Sequence, residues 1–156
     1  MTDEAAGQIE AIGDTESVSR AYFALPGELA PESHFQFIYD KDRDERAESV
    51  YWRRYAPSIN DVHERGCSLQ AKWIGTGSKQ IYEGARTAVV ERIRSIRSER
   101  GHRFEVIHYP QDSDRAHAHV AIVRASGKVQ GLNKNDKLEL VRLIAVCFTN
   151  FEPHIC

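Results

Sequence analysis

Short runs rich in aromatic and β-branched residues alternate with charged segments along the chain. Such runs are typical of strands, and the segments between them carry turn-forming residues. Four runs predict strands: HFQFIY (34–39), SVYWRRYAP (49–57), FEVIHY (104–109) and AHAHVAIV (116–123). The first two predict one hairpin joined by a charged link, and the last two predict a second hairpin joined by PQDSDR (110–115).

Other apolar residues recur at spacings of three and four, which predict helices. A long helix is predicted over roughly residues 79–100, a short one over 58–67 and a last one from about Lys134 to Cys147. Ser58, Asn60 or Asp61 could cap the short helix, and Gly66 could end it. The order hairpin, helix, hairpin, helix predicts an α+β fold, with a mostly antiparallel sheet and helices on one face.

Length and charge favour one domain preceded by a tail. The chain has 156 residues and a net charge of −2. Its first 20 residues hold five acidic side chains and one basic one, a balance of −4. We therefore expect residues 1–20 to form a flexible acidic tail and residues 21–156 to form a single domain.

The apolar content and the cysteines bear on where in the cell the protein lies and on whether it contacts a membrane. Hydrophobic residues make up 41% of the chain, and no apolar run approaches the roughly 20 residues that span a bilayer. The N-terminus lacks the pattern of a secretory leader. The three cysteines, Cys67, Cys147 and Cys156, are widely spaced and form no CxxC pair. These features predict a cytoplasmic protein with no membrane partner and neither a disulfide framework nor a zinc ribbon. They do not define an oligomeric state.

Three histidines cluster in the second predicted hairpin. His117 and His119 are two residues apart in a strand, so their side chains lie on one face of the sheet. His108 joins that face only if the hairpin pairs residues whose numbers sum to an odd value, for example His108 opposite His117, because a slip of one residue places it on the other face. With the favourable register, three imidazoles could hold a divalent ion such as Mn²⁺, Mg²⁺ or Zn²⁺. Alternatively, these histidines are structural residues of the sheet.

The order of elements around these histidines resembles the relaxases of the HUH endonuclease superfamily. The similarity covers roughly residues 80–148: a helix, a strand ending in histidine, an acidic turn, a paired-histidine strand, a Gly-containing turn and a helix. The resemblance implies that His108, His117 and His119 bind metal and that the substrate is single-stranded DNA. Ala116 stands where the family usually has proline.

The resemblance also implies a tyrosine nucleophile. The candidates are Tyr51 and Tyr55 in VYWRRY, or Tyr22. Tyr51 and Tyr55 could instead pack in the sheet beside Trp52. Basic side chains that could hold a phosphate backbone are Arg53, Arg54, Arg94 and Arg97. Glutamates interleave with the arginines of the predicted long helix, so an ordinary solvated helix face is the alternative.

Three functional hypotheses follow from the sequence. The first is a metal-dependent nuclease that acts on single-stranded DNA through a three-histidine site. The second is a non-catalytic binding or accessory protein that retains the fold. The third is a metal-free phosphodiesterase that uses paired histidines as acid and base.

Overall fold

The computed structural model describes residues 8–24 and 31–156, and in this part of the chain a seven-stranded antiparallel sheet is the central element. The strands are β1 (Ser17–Ala24), β2 (Tyr39–Asp40), β3 (Glu45–Trp52), β4 (Ile81–Val89), β5 (Arg103–His108), β6 (His117–Val123) and β7 (Thr149–Pro153). The helices are α1 (Ile59–Ile74), α2 (Val90–Arg94) and α3 (Lys134–Ala145), with short 3₁₀ turns at Pro31–His34 and Val129–Gly131. The strand order is β5–β6–β3–β1–β4–β7, and β2 pairs with Glu45 and Arg46 at the start of β3.

Residues alternate between the two faces of this sheet, and each face has its own core. On the α3 face, Val18, Val50 and Trp52 are fully buried in the larger cluster, which includes Leu140 and Ile144 of α3. The smaller cluster on the α1 face contains Ala21, Tyr51, Val62, Tyr82 and Ala85. The α+β class and the antiparallel sheet are confirmed. The helices divide between the two faces instead of covering one, because the central strands carry apolar residues on both.

The two predicted hairpins and the last helix are present, with shifted boundaries. The segment 49–57 forms a strand that begins and ends earlier, and only the end of 34–39 pairs as a strand. Helix α1 is capped by Ser58, one of the three predicted candidates, and Ser58 forms a capping box with Asp61. It continues past Gly66, because this glycine packs directly on the ring of Tyr82, where a Cβ atom would approach within 2.4 Å.

The predicted helix over residues 79–100 is wrong. Its first half is the strand β4, and only the single turn of α2 is helical. Strand β4 pairs with β1 on one side and β7 on the other, and these ladders override the helical spacing of the apolar residues. Ile81 and Val89, two of the apolar residues whose spacing predicted this helix, are exposed.

Strand β1 begins inside the segment assigned to the acidic tail. Val18 is fully buried, and β1 lies between β3 and β4 in the middle of the sheet. Residues 1–7 of the predicted tail lie outside the described residues. Within the described residues, no helix is both long and apolar enough to cross a bilayer.

Gly84 allows the edge strand β7 to approach β4 closely. Its φ is +145°, and a Cβ atom would lie 2.3 Å from the backbone oxygen of Glu152. We expect Gly84→Ala to lower the free energy of unfolding by roughly 2–4 kcal/mol, because strain adds to a clash with backbone. Urea denaturation measures this loss. Gly77→Ala is the matched control: its φ is +93° and the added Cβ meets nothing within 4 Å. Equal losses in the two variants would contradict the role of the close approach.

Candidate functional site

The register of the β5–β6 hairpin separates the three histidines. His108 lies opposite Ala118, and Ile107 lies opposite His119. His117 and His119 therefore share the α1 face, whereas His108 lies on the α3 face. The structure shows the one-residue slip that removes His108 from the predicted three-histidine metal site.

His108 has a structural environment in which both ring nitrogens are used. Its Nε2 is 2.8 Å from the backbone oxygen of Arg115, and its Nδ1 accepts the backbone N–H of Glu10 at 3.0 Å. Trp52 packs edge-on against the ring, with centroids 4.9 Å apart. This histidine ties the segment before β1 to the hairpin and has no free lone pair for an ion.

His119 belongs to a stack of rings at the mouth of the hairpin. Tyr109 lies parallel to it at a centroid distance of 4.4 Å, and the guanidinium of Arg43 lies 4.9 Å from the centroid of the Tyr109 ring. The Nδ1 atom is 2.9 Å from a carboxylate oxygen of Glu45 but lacks the alignment of a hydrogen bond. Burial, together with the neighbouring His117, lowers the pKa of His119 to about 4, so the ring is neutral at pH 7.

His117 forms a hydrogen-bonded chain with Ser49 and the backbone of Tyr109. Its Nδ1 lies 2.9 Å from the Tyr109 carbonyl oxygen, and its Nε2 lies 3.0 Å from Ser49 Oγ. Ser49 pairs with His119 across β3 and β6, which makes His117 its diagonal neighbour. The imidazole is 7% exposed, whereas Ser49 is open to solvent. The hydrogen-bonded chain therefore ends at the Ser49 hydroxyl, which a ligand can reach from solvent.

Ser49 lines a cleft of about 790 Å³ between α1 and the sheet. Strands β1 and β3 pair over only two residues and then diverge, and the Arg20 guanidinium bridges them by binding the Ser49 backbone oxygen and Glu48. At the other end, Arg65 of α1 makes two 2.9 Å bonds to the Asp114 carboxylate. Asp114 therefore holds α1 over the cleft and contacts neither paired histidine by a hydrogen bond. Side chains that line the cleft include Ser49, Tyr51, His117, Phe23, Leu69, Trp73, Glu64, Lys72, Ser68 and Ser113.

Two of the candidate tyrosine nucleophiles, Tyr51 and Tyr55, lie in different places. Tyr51 is directly opposite His117 and lines the cleft, but it is buried, and burial raises its pKa to about 12. Tyr55 stacks on His108, and its hydroxyl donates to the carboxylate of Glu10 outside the cleft. Tyr51 therefore has the position but not the acidity of a nucleophile, and Tyr55 is remote from the paired histidines.

The four predicted phosphate-binding arginines are engaged within the protein. Arg53 donates to the backbone oxygens of Ala56 and Pro57. Arg54 pairs with Glu10 and Glu16. Arg94 pairs with Asp14 and Glu105, and Arg97 donates to the backbone oxygens of Arg94 and Ile96. None of the four lines the cleft that holds His117. The arginines that line this cleft are Arg20 and Arg65 instead.

One group of side chains among the described residues has the spacing of metal ligands, and it lies elsewhere. Ligand atoms of Cys67, His154 and Cys156 all lie within 4.8 Å of one another. Cys67 and Cys156 are joined as a disulfide across 89 residues, whereas the spacing of the cysteines suggested no disulfide framework. The pairing arises because β7 brings its C-terminal continuation alongside α1, which no local spacing indicates.

Comparison of the chain with protein-family models, curated proteins and solved structures gave no match. The similarity to relaxases therefore rests on the sequence features alone. The chemistry of the site has to be derived from its own geometry.

Sequence reasoning missed Ser49. The signal for it is the period of two along β3, which places Ser49 on the face of Tyr51. Only the pairing of β3 with β6, whose residues are 68 positions apart at this point, relates Ser49 to His117.

Proposed function

We propose that this protein is a metal-independent hydrolase that uses Ser49 as nucleophile and His117 as general base, with small ester substrates bound in the cleft. The observation that carries the proposal is the 3.0 Å contact between Ser49 Oγ and His117 Nε2, with the imidazole oriented from its other side. A nucleophile beside a base that a third group orients is the arrangement of serine hydrolases.

The hydrogen-bond partners define the tautomer of His117. The Tyr109 carbonyl oxygen can only accept, so Nδ1 carries the proton and donates it. Nε2 then has the lone pair, and the Ser49 hydroxyl donates to it. Burial lowers the pKa of His117 below 6.5, which keeps the imidazole in the neutral form that a base requires.

The reaction follows from this arrangement. Ser49 Oγ attacks the ester carbonyl while its proton passes to His117 Nε2. The tetrahedral intermediate expels the alcohol, which takes that proton, and leaves an acyl group on Ser49. Water then attacks the acyl carbon, gives its proton to His117, and restores the serine as the carboxylic acid departs.

The walls of the cleft favour a small substrate over a polynucleotide. Phe23 and Trp73 pack together with ring centroids 4.7 Å apart and provide an apolar surface. The charges nearly cancel, because Arg20 and Arg65 are paired with Glu48 and Asp114. An ester with an aromatic or aliphatic acyl group suits this lining better than a phosphate backbone does.

The metal-dependent nuclease hypothesis needs a third imidazole beside His117 and His119, and His108 cannot supply it from the other face. The third hypothesis from the sequence, metal-free chemistry by paired histidines, is closer to the observed geometry. That hypothesis pairs two histidines as acid and base, whereas the proposed mechanism pairs His117 with the Ser49 nucleophile.

Labelling with a fluorophosphonate and hydrolysis of p-nitrophenyl esters, both in the presence of a chelator, test the proposal. We expect Ser49 to be labelled, and Ser49→Ala to lose labelling and to reduce kcat/KM by roughly a thousandfold. Ser68→Ala is the matched control, since Ser68 also lines the cleft but has no hydrogen bond to a histidine. It should retain activity within about twofold, since it takes no part in proton transfer.

Two results would contradict the proposal. Labelling that persists in Ser49→Ala would show that the nucleophile is elsewhere. A wild-type protein that neither reacts with the probe nor hydrolyses esters would favour a non-catalytic binding role, the second hypothesis from the sequence.

A further inference from the structure

Two segments that are distant in sequence bring two cysteines and two histidines together beside Tyr82. Helix α1 carries His63 and Cys67 four residues apart, so both side chains leave the same side of the helix. The continuation of β7 carries His154 and Cys156 two residues apart. The backbone N–H of His154 donates to the Glu83 backbone oxygen at 3.1 Å, which fixes this continuation against β4.

Three of the four side chains form one group, and His63 adjoins this group by stacking on His154. Ligand atoms of Cys67, His154 and Cys156 lie within 4.8 Å of one another. The ring of His63 is nearly parallel to that of His154, at 13° and a centroid distance of 4.3 Å. A disulfide requires no imidazole, so the position of His154 beside the sulfur atoms, with His63 stacked on it, needs a separate explanation.

Tyr82 orients His63 within the cluster. The Tyr82 hydroxyl lies 2.7 Å from His63 Nδ1. When Nδ1 donates to this oxygen, the lone pair is on Nε2, which is the nitrogen free for a metal ion. Metal-bound histidines typically donate their other ring N–H to a fixed acceptor in this way.

We propose that the reduced protein binds one zinc ion through Cys67, Cys156, His154 and His63. Two thiolates and two imidazoles are a common ligand set of structural zinc, which is tetrahedral. Two sulfur atoms bound at about 2.3 Å in that geometry lie about 3.8 Å apart. The sulfurs therefore separate when the disulfide opens, and the exposed side chain of Cys156 has room to move.

The disulfide and the zinc site are alternative states of the same cysteines. A water-soluble phosphine reduces the Cys67–Cys156 bond: phosphine, water and disulfide give the phosphine oxide and two thiols. Zinc then displaces the two thiol protons and forms two Zn–S bonds. The oxidised chain keeps only the two imidazoles, which are too few for a tight site.

Titration of phosphine-reduced, chelator-treated protein with Co²⁺ tests the proposal, because cobalt reports its ligands. We expect one Co²⁺ per chain, with a thiolate-to-cobalt charge-transfer band, intense visible bands of tetrahedral geometry, and displacement by Zn²⁺. Cys67→Ser and Cys156→Ser should weaken or remove the charge-transfer band. His63→Ala and His154→Ala should weaken binding by at least the roughly 10–100-fold that loss of an outer-shell partner costs. Cys147→Ala is the control, since Cys147 is buried away from the cluster and unpaired in the described part of the chain.

A second measurement needs no variant. Zn²⁺ should slow maleimide alkylation of Cys67 and Cys156 in the reduced protein, read by mass spectrometry, and the oxidised protein should give no cobalt bands. Reduced wild-type protein that shows no saturable cobalt binding, or alkylation that Zn²⁺ leaves unchanged, would overturn the proposal. Cobalt bands of equal intensity in the oxidised protein would overturn it as well.

Discussion

Ester hydrolysis by this protein should lose about tenfold in kcat/KM for each pH unit below the pKa of His117. Protonation of Nε2 removes the lone pair that accepts the Ser49 proton, so only the neutral imidazole is active. The pKa of His117 is lowered below 6.5, chiefly by burial. The active form therefore predominates at neutral pH, and the rate falls in acid. The measurement is kcat/KM between about pH 4 and pH 8, with chelator present throughout.

Two histidine variants separate this base from its neighbour. His117→Gln should lower kcat/KM by roughly 10²–10⁴-fold, as expected for loss of a general base, and should abolish the acid limb. His119→Gln is the matched control: it changes the other histidine on the same face, which makes no hydrogen bond to Ser49. An acid limb that survives in His117→Gln, or an inflection above pH 7 in the wild type, would contradict the assignment.

The hairpin that carries His117 was predicted well, because its two strands and the turn between them each have a local sequence pattern. Strand FEVIHY (104–109) and strand AHAHVAIV (116–123) each appear within one residue of the predicted bounds, and α3 starts at Lys134 as expected. The long predicted helix failed at residues 81–89, where pairing with β1 and β7 determines the backbone. Such pairing depends on residues far along the chain, so spacing within one segment does not reveal it.

The candidate site was harder to predict than the fold, because it depends on registers. His117 and His119 were placed on a common face correctly from the period of two along a strand. The position of His108 depended on a single residue of register in the hairpin, and the observed pairing with Ala118 moved it to the opposite core. Ser49 became a candidate only once β3 was known to pair with β6.

Charge patterns were equally ambiguous without tertiary contacts. Arg94 was a candidate for binding phosphate, yet it bonds Asp14 from the segment before β1 and Glu105 from β5. Arg65 carried no sequence signal, yet its bidentate bond to Asp114 holds α1 over the cleft. A basic residue indicates a ligand only when the protein leaves its charge unpaired, and a sequence does not show this.

Trp52 should be among the most costly side chains to remove. It is fully buried on the α3 face, it packs on Tyr55 and His108, and its indole N–H donates to Glu16 at 2.9 Å. We expect Trp52→Ala to lower the free energy of unfolding by about 3–5 kcal/mol, because it leaves a large cavity. Urea denaturation at pH 7 measures this change.

Two further variants identify the physical origin of the loss. Trp52→Phe keeps most of the packing but leaves the Glu16 carboxylate without its indole donor, so it should cost about 1–3 kcal/mol. Trp73→Ala is the matched control on the α1 face, where the indole is only half-buried against Phe23. Its loss should be smaller than that of Trp52→Ala. Equal losses would mean that the two faces contribute alike to stability, contrary to the larger core on the α3 face.

Because Trp52 and Ser49 lie on opposite faces, folded Trp52→Phe should retain its ester hydrolysis, which separates the stabilising core from the proposed catalytic cleft.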